Sequence, residues 1–129
     1  MRRVLIIESK NADAQALKEC LREAGLVNSS TVFKNGADAK RHLAGRDRNC
    51  ILLLNIHAPA MKGMPFLDWV RTQAFYNELL VIAVGERGQL RGVVEACERG
   101  AHTFVIKPVQ VEDFKTLALK YPDHWARTE

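Results

Sequence analysis

Ile51-Leu52-Leu53-Leu54 is a run of four aliphatic residues with no polar residue between them. A strand with one wet face alternates apolar and polar side chains. A continuous run therefore predicts a strand covered on both faces, as central parallel strands are when helices pack above and below them. Four more short apolar runs occur along the chain, each followed by an amphipathic stretch. This alternation predicts an α/β fold: a doubly wound, five-stranded parallel sheet with helices on both faces.

The local signals agree with that plan. Val4 to Ile7 is the first strand, and Asn11 is placed to cap a helix carrying Ala14, Leu17, Leu21 and Ala24 on one face, closed by Gly25. A weaker second strand over Ser29 to Phe33 leads through Asn35-Gly36 into a helix over Ala37 to Ala44. After the third strand, Pro65 suits the first position of a helix that turns Leu67 and Val70 inward. Leu79 to Val84 is the fourth strand. Leu90, Val93, Val94 and Cys97 follow at i, i+3, i+4 and i+7, the inward stripe of a fourth helix that Gly100 can end. Thr103 to Ile106 is the fifth strand, and Phe114, Leu117, Ala118 and Tyr121 repeat at helical spacing after it. One domain over residues 1–121 with a tail over 122–129 is expected, Tyr121 and Trp125 capping the end of the core. Trp69 and Phe75-Tyr76 are expected at the core edge.

With 129 residues, 47% of them hydrophobic, one domain can bury a core without disulfides or metal. Cys20, Cys50 and Cys97 are odd in number, far apart and in apolar surroundings, which predicts reduced core thiols. No apolar run approaches the ~18 residues of a membrane span, and acidic residues arrive too early for a signal peptide, so a cytoplasmic chain without membrane contact is expected. The net charge of +4 and the cluster Lys34, Lys40, Arg41, Arg46 and Arg48 invite a nucleic-acid reading. Asp38 and Asp47 dilute that cluster and no aromatics are interleaved, so a solvated face is expected; DNA binding there would be steeply salt-dependent.

In parallel sheets of this kind, ligands and reactions gather beyond the carboxyl ends of the strands. The residues there are Glu8 and Ser9, Asn55, Gly85 and Glu86, and Lys107. Glu8 at the end of the first strand, Asn55 followed at fixed offsets by Pro59, Met61 and Gly63, and Lys107-Pro108 preceded by Gly100-Ala101 resemble the CheY-like receiver domains of two-component response regulators. The resemblance spans nearly the whole chain. It implies the flavodoxin-like strand order 2-1-3-4-5 and a bacterial phosphorelay signalling role. It also implies a pocket in which acidic residues hold Mg²⁺, an aspartate accepts a phosphoryl group from a histidine kinase, and a hydroxyl residue and a lysine bind the phosphoryl oxygens.

Three positions depart from that pattern. Ser9 stands where a second acidic residue is expected, Asn55 replaces the phosphoacceptor, and Gly85 replaces the hydroxyl. Phe104 takes the aromatic switch position in strand five and can pack inward without a ring-edge hydrogen bond. An amide is neutral and its nitrogen lone pair is delocalised, so Asn55 is a poor nucleophile. Counting Glu8 against Lys107 leaves the pocket near neutral, where a full set would sit at about minus two. With a unit charge pair worth up to about 4 kcal/mol at close range, the loss removes most of what offsets metal dehydration. Mg²⁺ binding is therefore expected to be weak or absent, and no other cofactor is expected.

The expectation is a pseudo-receiver, not an enzyme, that signals by protein contacts with a sensor kinase, an output domain or a second copy of itself. Those contacts are placed on helix four, strand five and helix five, around Arg87, Arg91, Phe104 and Lys115. Asn55 would bond the loop backbone or accept from Lys107, and Lys107 would pair with Glu8 or Glu86. The competing reading is weak phosphotransfer through another acceptor, Ser9 or His57. His57 could approach Glu8 or Glu86, but no nucleophile sits near it at a motif spacing, and the four histidines have no metal-ligand spacing.

Overall fold

The computed structural model describes residues 2–45, 49–57 and 63–128. Five parallel strands, β1 (Arg3–Ile7), β2 (Ser30–Phe33), β3 (Cys50–Asn55), β4 (Leu80–Glu86) and β5 (Thr103–Lys107), form one sheet in the order β2-β1-β3-β4-β5. The helices are α1 (Asn11–Glu23), α2 (Gly36–Ala44), α3 (Gly63–Arg71), α4 (Leu90–Arg99) and α5 (Val111–Lys120), with a 3₁₀ turn over Tyr76–Glu78. The doubly wound plan and strand order match expectation.

Every residue of β3 is buried, as its unbroken aliphatic run requires. Alternate side chains enter two cores. Leu52 and Leu54 join Leu5, Leu43, Phe66, Val70 and Val81 on one face. Ile51 and Leu53 join Ile6, Leu17, Ile82 and Phe114 on the other. The sheet register then sets the site: Ile7 pairs with Leu54, Asn55 with Val84, and Glu86 with Lys107, so the last residues of β3, β4 and β5 share one edge.

Several local expectations change. Lys10, not Asn11, is the N-cap of α1 and makes no side-chain cap, whereas Asn35 does cap α2, its side chain accepting from the Asp38 N–H. α3 starts at Gly63, so Pro65 is the third helical residue, still within the first turn where a missing N–H is harmless. β4 and β5 run on through Gly85-Glu86 and Lys107, which makes these residues strand ends rather than loop residues.

The largest correction concerns α4. Its buried residues are Val93 and Ala96, while Leu90 (55% exposed) and Val94 (57%) face solvent, and Cys97 is exposed rather than a core thiol. Helical period finds an apolar stripe but not how much of it the sheet covers. Here the side of Gly92, Val93 and Ala96 meets the protein and the rest of the stripe does not. Of the other cysteines, Cys50 is buried, and Cys20 is half-buried with its thiol on the Val109 carbonyl.

Beyond α5 the chain folds back onto the α1–β2 connection. The Val27 N–H donates to the Ala126 carbonyl, the Ala126 N–H to Asn28 Oδ1, and the Thr128 N–H to the Gly25 carbonyl. Trp125 is buried edge-on against Phe114, ring centroids 6.2 Å apart, and Tyr121 packs on the same core. Both cap the core as expected; Trp69 and Tyr76 lie at the edge of the other core, and Phe75, expected there too, is buried within it.

Candidate functional site

Glu8 and Asn55 are the two buried polar residues at the strand ends, 1% and 4% exposed. A buried carboxylate is tolerated only if its oxygens find donors. Those of Glu8 find four interactions. Asn55 Nδ2 donates to Oε1 at 2.9 Å and Oε2 at 3.1 Å, Lys107 Nζ donates to Oε1 at 2.9 Å, and the Lys10 N–H donates to Oε2 at 3.1 Å. The other end of the amide is also used, Asn55 Oδ1 accepting from the His57 N–H at 3.0 Å. This network dictates the amide orientation, since a flipped side chain would set oxygen against carboxylate and NH₂ against N–H.

Asn55 therefore donates to Glu8 and bonds the loop backbone; the expected bond from Lys107 to the amide is not made. Lys107 pairs with Glu8 as expected, but its second partner is Asp13 at 2.8 Å, not Glu86. Burial alone would lower the Lys107 pKa, and the hydrogen bonds to Asp13 and Glu8 outweigh it, so the pKa stands above the ordinary 10.5. The ammonium is kept charged, which is what the buried Glu8 requires.

Asp13 is the site residue that strand-end reasoning missed. Helix α1 starts three residues after Glu8, and its first turn brings the Asp13 carboxylate back over the sheet edge. An acidic residue in a first helical turn was the available signal. Asp13, Glu86 and Lys107 also line a cavity of about 410 Å³, walled by Ala16, Leu17, Pro108 and Val109. The near-neutral pocket expected from Glu8 and Lys107 is thus corrected: Asp13 joins Glu8 on the ammonium and Glu86 lines the same cavity, so the four side chains sum to a formal charge of minus two. Among the described residues, no group of three or more His, Cys, Asp and Glu side chains is arranged to hold a metal ion.

Of the remaining candidates, Gly85 and His57 lie against α4. Ser9 is half-buried next to Glu8. Gly85 is buried, and a Cβ built there would lie 2.3 Å from Val93 Cγ2 and 3.4 Å from His57 Nε2. The imidazole of His57 thus lies against β4, its Nε2 buried and without a hydrogen-bond partner among the described residues. Burial lowers its pKa below 6.5, opposed by the negative charge of Glu86 and reinforced by Lys107. Phe104 is 49% exposed; it faces outward, not into the core. The loop markers Pro59 and Met61, and Arg46, Asp47 and Arg48 of the basic cluster, lie outside the described residues. Of the rest of that cluster, Arg41 pairs with Asp38, and Lys40 Nζ sits 5.3 Å from the Trp69 ring centroid.

The family model for the response regulator receiver domain matches residues 4–118. The chain belongs to that family. The receiver is 26% identical over 122 residues to the DNA-binding transcriptional regulator NtrC of Escherichia coli (strain K12), a match covering 95% of this chain and 25% of NtrC. It thus spans about a quarter of that relative's length. Chemotaxis protein CheY of Pseudomonas aeruginosa is 24% identical over 113 residues, covering 88% of this chain and 90% of CheY. Among solved structures, response regulator RPA3017 in red light signaling of R. palustris matches with a TM-score of 0.82 at 20% identity, covering 100% of this chain and 99% of that one, a likeness of fold. This is a receiver domain of the two-component response regulator class. Among its described residues, no helix is long and apolar enough to cross a membrane.

Proposed function

We propose that this receiver signals through protein contacts and without phosphoryl transfer. The observation that carries the reading is the saturation of Glu8. Both carboxylate oxygens are held by Asn55, Lys107 and the Lys10 N–H, so neither is open to a metal. Two facing carboxylates need a cation between them; a carboxylate facing an amide does not, because the amide brings its own donor. Asn55 replaces both the nucleophile and the need for the ion.

The residues present do not fit Mg²⁺. The minus-two edge would attract a cation, but coordination requires oxygen lone pairs, and Asn55 turns its NH₂ rather than its oxygen toward Glu8. A dication would have to displace the Lys107 ammonium from a buried carboxylate. Weak or absent Mg²⁺ binding therefore follows from geometry rather than from lack of negative charge. His57 is a poor alternative acceptor because its Nε2 is buried against Gly85.

The contact surface on this reading is the α4–β5–α5 face. Leu90, Val94 and Phe104 expose apolar surface, Arg87 and Arg91 are exposed beside them, and a groove of about 510 Å³ runs between Leu90, Val94, Cys97 and Phe104, while Lys115 lies apart, lining a cavity with Ala24 and Arg127. A sensor kinase, an output domain or a second copy of the chain is the class of partner proposed, in the bacterial cytoplasm. Incubation with acetyl phosphate or phosphoramidate and Mg²⁺, followed by intact mass, should give no phosphoryl adduct. A stable adduct on the natural chain would refute the reading and favour phosphotransfer through Ser9 or His57.

A further inference from the structure

We propose that His57 is a positioning residue that couples the Asn55 pocket to helix α4, its imidazole occupying the space that a side chain at position 92 would otherwise fill. Three observations join end to end. The His57 N–H is held by Asn55 Oδ1 at 3.0 Å, so the pocket amide sets where the residue leaves β3. The ring then lies over Gly92 of α4, where a built Cβ would come within 2.7 Å of Cε1 and 3.4 Å of Nδ1. The same ring borders Gly85 at the end of β4, 3.4 Å from a Cβ built there. The approach to α4 needs glycine, since at 2.7 Å a Cβ at position 92 overlaps the imidazole, whereas at position 85 the overlap is with Val93 Cγ2 at 2.3 Å and the ring lies at ordinary contact distance.

Alanine is a better helix former than glycine, so a glycine in the first turn of a helix asks for a reason. Gly92 is the third residue of α4, and no positive φ calls for it. Steric room for His57 explains its presence. Among the described residues the ring makes no hydrogen bond through Nε2, so its contact with α4 is one of volume and shape. The same helix carries Leu90 and Val94 to the surface, and a change at Asn55 thus has a short mechanical route to the exposed face: amide, His57 backbone, imidazole, α4. This coupling holds whether or not the pocket accepts a phosphoryl group.

Two measurements test it. With His57 present, Gly92→Ala should lower the melting temperature by about 5 °C. With His57→Ala the same Gly92→Ala change should be neutral or raise it, because only helix propensity is left. Where His57→Ala is too unstable to measure, His57→Asn, which also removes the ring edge, gives the same comparison. Second, in amide NMR spectra Asn55→Ala should shift Leu90, Val93 and Val94 in the natural background. In the His57→Ala or His57→Asn background those shifts should be lost, while the shifts at Lys10 persist. An equal effect of Gly92→Ala in both backgrounds, or α4 shifts that persist without the imidazole, would overturn the proposal.

Discussion

The two ends of this receiver's signalling machinery are built in opposite ways. At the strand ends of β1, β3 and β5, polar groups are buried or half-buried and satisfied: Asn55 and Lys107 both hold Glu8 within 3.1 Å. On the outer face of α4 and β5, apolar groups are exposed and unsatisfied, with Leu90, Val94 and Phe104 each about half or more in solvent. A site for chemistry needs open valences and tolerates a wet surface, whereas a site for recognition needs a stable shape with apolar area to bury. The closed pocket and the open face fit the second description, and on the proposed reading the pocket is a stabilising knot that fixes the geometry of the face.

The sharpest way to break this contrast is to cut the knot. Replacing Lys107 with Met leaves Glu8 buried without its counter-ion, and removing one partner of a buried pair costs about 3–5 kcal/mol. Urea denaturation should register a loss of that size; a loss below about 1 kcal/mol would mean the pocket contributes little and water already reaches Glu8. Because the Lys107 pKa is raised, this contribution is fully present at neutral pH and is lost only as pH climbs past 10.5 through the folded-state value.

The other end of the contrast should respond in the opposite way. Val94→Ser with Phe104→Ser removes apolar surface that folding does not bury, so stability should change by no more than about 0.5 kcal/mol. On the proposed reading the same pair abolishes capture of the partner or of a second copy, read by sedimentation or pull-down with the identified partner. A loss of stability above about 2 kcal/mol would show that these side chains belong to the core after all.

The elements and their order were legible because they rest on strong, redundant signals: the unalternating Ile51 to Leu54 run, helical repeats, and glycine or proline at the breaks. What escaped was whatever depends on neighbours across the sheet. Asp13 could not be assigned to the site from strand-end spacing, since its carboxylate reaches Lys107 only because α1 begins close behind β1. The stripe of α4 was read as inward because period reports a face but not the extent of its cover; the sheet edge stops at Val93 and Ala96. The pocket's charge was undercounted for the same reason, Asp13 and Glu86 arriving from a helix turn and from a strand longer than expected. Asn55 itself was conspicuous, an amide at the end of an aliphatic strand, but its hydrogen bonds to Glu8 rather than Lys107 required the register that places β1 beside β3.

The central claim, that the Asn55 amide occupies the place a metal would otherwise take against Glu8, is tested most directly by thermal unfolding of the natural chain and Asn55→Asp with and without Mg²⁺. The aspartate sets a second carboxylate against Glu8, so Asn55→Asp should melt lower in chelator and recover as Mg²⁺ is added. The natural chain should show no Mg²⁺-dependent shift across the millimolar range. A saturable rise in its melting temperature, matching that of the variant, would contradict the account.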